Sequence, residues 1–168
     1  MRTRRPMVLC RLIFAVAVAY AAMVPAAAAS DDVGITRQWL SSAAKDVGVF
    51  ESVTAFPFTY RTTSKDKRCE RVIRDRRAFS KWAACFRKDQ KLLIGEITAG
   101  TAVQKSSPSD LGSPEVRAMV KTLSGDGRWV YAFMNGAGIT FELSFRVTGH
   151  GDEAKVNAVI LREEVERG

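Results

Sequence analysis

Three consecutive stretches between Arg128 and Glu166 alternate hydrophobic and polar positions. The middle one is the clearest: Ile139, Phe141, Leu143, Phe145 and Val147 alternate with Thr140, Glu142, Ser144, Arg146 and Thr148, the period of two expected of a half-buried strand. Glycine-bearing segments at Asn135–Gly138 and Gly149–Asp152 join the stretches as antiparallel neighbours. A two- or four-residue loop at the first junction sets Met134 opposite Ile139, so Val130, Ala132 and Met134 share a core face with Ile139, Phe141, Leu143 and Phe145. A four-residue loop at the second junction adds Val156, Ala158 and Ile160 to that face. The other face then carries Trp129, Tyr131 and Phe133, followed by Thr140, Glu142, Ser144 and Arg146, and then Asn157, Val159, Leu161 and Glu163. A slip of one residue at either junction would exchange the two sets.

Upstream, Asp31 or Asp32 caps a first helix in which Ile35, Trp39, Leu40 and Ala43 lie on one side. Ala55 to Thr62 reads as a strand with Phe56, Phe58 and Tyr60 on one face. Pro57 lacks an N–H, which places this strand at an edge or beside a bulge. Asp75 to Phe86 is the strongest helix, with Phe79, Trp82, Ala83 and Phe86 at i, i+3, i+4 and i+7. Lys91 to Thr98 reads as a further strand through Leu92, Ile94 and Ile97, and Gly100 to Gly112 as the longest loop. Ser113 at the N-cap and Pro114 at N1 open a last helix whose buried stripe is Val116, Met119, Val120 and Leu123. These elements predict an α+β domain in which a curved, mostly antiparallel sheet of about five strands packs on about three helices, all covering one face.

The first thirty residues change the picture of composition. Arg2, Arg4, Arg5 and Arg11 precede a 13-residue apolar run, Leu12 to Val24, which Pro25 ends before the small residues Ala26 to Ala29. This is the layout of a secretory signal peptide, shorter than a spanning helix requires. We therefore expect residues 1–29 to be cleaved, residues 30–168 to form one domain, no transmembrane segment in the mature chain, and a periplasmic or secreted location. Of the formal net charge of +8, the four signal arginines account for half. The remaining basicity concentrates in Arg61 to Lys91, where twelve lysines and arginines face Asp66, Glu70, Asp75 and Asp89. Cys69 and Cys85 are an even pair in an oxidising compartment and predict one disulfide. On one continuous helix they would stand ~24 Å apart, whereas a bridge needs Cα atoms within about 7 Å, so either the chain turns back between them or they stay reduced. Because the helical pattern starts only near Asp75, we expect the turn.

The residue types exclude several chemistries. One histidine and two paired cysteines cannot supply a zinc site, and no residue cluster asks for a cofactor. Glu163 and Glu164 point to opposite faces of their strand. His150, between two glycines, is a turn residue, and Asp126 and Asp110 also lie in turn or loop sequence. No G-x-S-x-G occurs, and Gly125–Gly127 and Gly136–Gly138 read as turns rather than phosphate cradles. On the Asp75–Phe86 helix the aromatic residues occupy the buried stripe and the charges the remaining faces, which argues against stacking on nucleic-acid bases.

The order helix, strand, helix, strand, helix and three long antiparallel strands resembles the NTF2-like superfamily, the cystatin-like α+β cone that includes SnoaL-like domains. That resemblance implies a sheet wrapped around helices, with a ligand pocket or a filled core inside the cone. It also implies an outer sheet face that often forms a dimer, which would suit Trp129, Tyr131 and Phe133. Relatives that are enzymes, such as ketosteroid isomerase and scytalone dehydratase, place Asp, His or Tyr inside the cone. Here only Tyr60 comes near that pattern, and it shares its face with Phe56 and Phe58. The reading is an exported, non-catalytic domain that binds a small apolar ligand or a partner, with Trp129, Tyr131, Phe133 and Tyr60 as candidate binding residues. The alternatives are a small cone-site isomerase, dehydratase or hydrolase, and a binder of anionic partners through residues 61–91.

Overall fold

The computed structural model describes residues 32–65, 67–91, 93–95, 102–106, 112–136 and 138–165. The predicted signal segment and Asp31 lie outside these residues. Helix α1 (Asp32–Lys45) is followed by α2 (Val47–Ser52), whose first N–H groups bond the Asp46 carboxylate. Strands β1 (Thr54–Thr62) and β2 (Arg71–Ile73) lead into α3 (Arg76–Asp89), capped by Asp75. Strand β3 (Ala102–Ser106) precedes α4 (Pro114–Thr122), and β4 (Arg128–Gly136), β5 (Ile139–Thr148) and β6 (Lys155–Val165) close the domain. Among the described residues no helix is long and apolar enough to cross a membrane.

The α+β order is the one predicted, but the sheet has six strands, ordered β2-β1-β6-β5-β4-β3, with β1 parallel to β6 and the other pairs antiparallel. Two of them were not expected: β2, only three residues long, and β3, which lies inside the segment read as a loop. Conversely, residues 91 and 93–95 are helical where a strand was predicted, with the Ile94 N–H on the Gln90 carbonyl at 2.9 Å. Three alternating apolar positions are too few to separate a strand from a helical turn that prolongs the preceding helix. Pro57 sits where the β1–β6 register is irregular, between Thr54 and Thr59, beyond the reach of β2.

One face of the sheet carries the main core. Trp39, Phe50, Phe58, Phe79, Trp82 and Phe86 are fully buried between α1–α3 and the sheet. Their rings interlock at 4.6 Å for Trp39 and Phe50, 4.9 Å for Phe58 and Trp82, and 5.1 Å for Trp82 and Phe86. The two indole N–H groups have acceptors, Trp39 on Thr54 Oγ1 and Trp82 on the Cys69 carbonyl. The chain does turn back between the cysteines: β2 pairs with β1, and Cys69 and Cys85 are bonded with Cα atoms 5.9 Å apart.

The β4–β5 faces are as predicted, with a tighter loop that sets Met134 opposite Phe141 and Gly136 opposite Ile139. The β5–β6 faces are not. Val147 pairs with Val156, but Arg146 pairs with Ala158, and this extra residue at Asn157 is a β-bulge. Beyond it Val159, Leu161 and Glu163 turn to the core side, while Ala158 and Ile160 turn to the other. The expectation that every helix covers one face is also corrected. Helix α4 packs on the opposite side, where Val116 and Val120 bury Trp129 and Ile160.

Candidate binding site on the outer face

The sheet register orders the outer face into rows. Val72, Thr59, Ala158, Arg146 and Trp129 form one; Arg61, Ile160, Ser144 and Tyr131 form the next; Arg162, Glu142 and Phe133 form a third. Helix α4 crosses the Trp129 end of the first two rows and stops before their β1 end. What it leaves open is a cleft of about 380 Å³ between the end of α4 and β1–β2.

Arg146 lines this cleft and is only 7 % exposed. Its Nε donates to Asn157 Oδ1 at 2.9 Å, and its Nη1 donates to the Ser124 carbonyl at 2.6 Å and, more weakly, to Gly125 at 3.4 Å. Among the described residues Nη2 finds no hydrogen-bond acceptor, and no carboxylate pairs with the guanidinium. Burial, with no acidic group to offset it, pushes the group below its ordinary pKa. The turn after α4 is shaped around this side chain. Gly125 adopts φ +96°, and a Cβ on Gly127 would collide with Arg146 Cγ.

Two more donors without partners among the described residues belong to side chains that line the same cleft. Asn157 must present its oxygen to the Arg146 Nε–H, so its Nδ2 is turned away and has no acceptor among the described residues. The Thr59 hydroxyl likewise has no partner among the described residues. Arg61 stands at the rim, but Glu70 Oε1 neutralises it at 2.9 Å. Although burial works against the charge of Glu70, the Thr62 N–H and Arg61 outweigh it and hold the carboxyl below its usual range.

The predicted binding residues are not brought together. Trp129 is buried by the chain's own α4, and Tyr131 packs partly under it. Burial first, and then Glu142, push the Tyr131 phenol up to about 12. Phe133 remains 38 % exposed. Glu142 Oε2 lies 3.3 Å from Arg162 Nη1 without hydrogen-bond geometry, and Arg162 also pairs with Glu164 at 2.7 Å. Tyr60 is on the other face, 1 % exposed among Trp82 and Phe86, with an unpartnered hydroxyl whose pKa is raised by burial and by Glu163. Asp89 Oδ2 lies 2.9 Å from Cys69 Sγ, and Cys69, Cys85 and Asp89 converge within 4.8 Å. Because the two sulfurs are bonded to each other, no thiolate is present there to hold a metal. His150 is an exposed turn residue, as predicted.

The pattern placed Arg146 on the outer face as one polar residue among several. Its burial was not legible, because that depends on α4 and on the turn that follows it. The one available signal was the Gly-Asp-Gly sequence at 125–127 after a helix, which marks a close backbone approach.

No protein-family model matches the sequence, and no curated protein matches it. Among solved structures the fold is similar to an NTF-2 like protein of unknown function from Silicibacter pomeroyi DSS-3. The likeness has 10% sequence identity and a TM-score of 0.43, over 78% of this chain and 91% of the other. At that identity and score it says nothing about ligand or chemistry.

Proposed function

We propose that this is an exported domain that binds a ligand without transforming it, and that the ligand sits in the outer-face cleft on Arg146. The observation that carries this reading is a buried guanidinium with an open Nη2 edge and no counter-charge. Buried charges in folded proteins are normally paired, so an unpaired one facing a cleft marks the place of an external acceptor. The inner face supports a binding role over cone-site catalysis, since aromatic rings fill it and its tyrosine is held far from neutral ionisation. Export is supported by the basic and apolar N-terminal sequence and agrees with the disulfide. Ligand-observed NMR with a mixed set of small acids, bases and neutral compounds tests the reading. The expected hits are acids, and the Arg146→Met variant loses them. Hits that persist unchanged in that variant would refute it.

A second reading, a homodimer through the outer face, now rests on Phe133, because Trp129 is already covered. Light scattering that shows a monomer at high micromolar concentration would remove it.

A further inference from the structure

We infer that the cleft takes a small organic carboxylate, a singly charged head group on a short apolar body. The inference rests on the binding role proposed for the cleft. It deepens that role from the balance of charge and dipole around Arg146.

Three side chains that line the cleft offer donors for which the described residues supply no partner: Arg146 Nη2, Asn157 Nδ2 and the Thr59 hydroxyl. None of them is an acceptor-only group, so together they ask for an oxyanion rather than a cation or a plain hydrocarbon. The charge available is a single positive unit. Arg61, the other cation at the rim, is committed to Glu70 at 2.9 Å. Helix α4 ends at Thr122, and its C-cap Leu123 and the following Ser124 line the cleft. The cleft thus faces the negative end of a helix, with the Ser124 and Gly125 carbonyls already directed at Arg146. Phosphate sites are commonly built the opposite way, from helix N-termini and clustered N–H groups. A dianion would meet that negative end with one cation to balance it, whereas a monoanion is balanced. Within a lining of mixed polarity, Pro57 and the 51 % exposed Val72 on one side and Leu123 on the other offer apolar contact to a short chain. A volume of about 380 Å³ is at the small end of ligand sites.

The experiment is a calorimetric titration of the mature domain with hexanoate, with hexanamide as the uncharged analogue and with inorganic phosphate, at one ionic strength and neutral pH. Hexanoate is expected to bind, with hexanamide and phosphate weaker by about tenfold or more, the scale of one charge-assisted hydrogen bond. Arg146→Met is expected to remove the preference for hexanoate. Asn157→Asp keeps the acceptor for Arg146 Nε but supplies an internal counter-charge, so it too is expected to abolish hexanoate binding while the domain stays folded by circular dichroism. If hexanamide binds as well as hexanoate, or phosphate binds more tightly, the carboxylate assignment is overturned and the cleft still stands as the site. If none of the three binds, or if binding survives both substitutions, the assignment and the cleft fall together.

Discussion

On the inner face of the sheet Trp39, Phe50, Phe58, Phe79, Trp82 and Phe86 interlock, and both indole N–H groups there reach acceptors, with the Tyr60 hydroxyl the neutral buried group left without one among the described residues. The outer face, formed by the alternate residues of the same strands, is covered by one nine-residue helix and holds buried polar atoms without hydrogen bonds, Ser144 Oγ and Glu142 Oε2, beside the unpaired Arg146. Two arginines on adjacent strands sharpen the contrast. Arg128 binds the buried Asp32 carboxylate through Nε at 2.8 and 2.9 Å and through Nη2 at 2.7 Å, tying the start of α1 to β4, and Asp32 raises its pKa. Arg146, more deeply buried, has only carbonyl and amide oxygens, and its pKa is lowered. The difference separates a face built for stability from one that carries a cost of burial which a ligand would offset.

The largest effects are expected on the inner face. Trp82→Ala removes a fully buried ring with three close aromatic neighbours and should cost about 3–5 kcal/mol in urea denaturation. A loss below about 1 kcal/mol would mean the core is not packed as described. Reducing the Cys69–Cys85 bond, with a sequence separation of 16, should cost roughly 3 kcal/mol by the chain-entropy account, read as a fall in the urea midpoint under dithiothreitol. Arg128→Met strands the buried Asp32 carboxylate and should cost about 2 kcal/mol.

A smaller effect concerns pH. Because the folded-state pKa of Glu70 is depressed, the stability it contributes is present above its unfolded value of 4.5 and fades as pH falls below it. Glu70→Gln should therefore flatten the acid limb of a stability-versus-pH curve. It also releases Arg61 at the cleft rim, so phosphate should gain affinity relative to hexanoate; an unchanged ratio would show that the rim charge does not reach the ligand.

The sequence made some of this legible and hid the rest for identifiable reasons. Strict alternation in β5 fixed its faces and those of β4. The run Val156 to Leu161 has apolar residues on both faces, so alternation could not reveal the bulge at Asn157 that reverses them. The stripe of α4 was readable, but not the side on which it docks, since periodicity marks the buried side of a helix and not the face of the sheet it packs against. The cleft depends on that docking, which is why Trp129 drew the reading that Arg146 deserved. Cys69 and Cys85 were paired correctly from compartment and reach alone.

The smallest expected stability change is the most telling one. Arg146→Met exchanges an uncompensated buried charge for an apolar chain of similar length, and the Ser124 and Gly125 carbonyls it leaves belong to exposed residues that water can serve. Urea denaturation of the wild type, Arg128→Met and Arg146→Met, each with and without hexanoate, compares the two arginines directly. The account predicts that Arg146→Met keeps its stability to within about 1 kcal/mol, or gains some, and no longer responds to hexanoate, while Arg128→Met is weakened yet still responds. A loss in Arg146→Met as large as that in Arg128→Met, with the hexanoate response intact, would make Arg146 a structural brace and contradict the account.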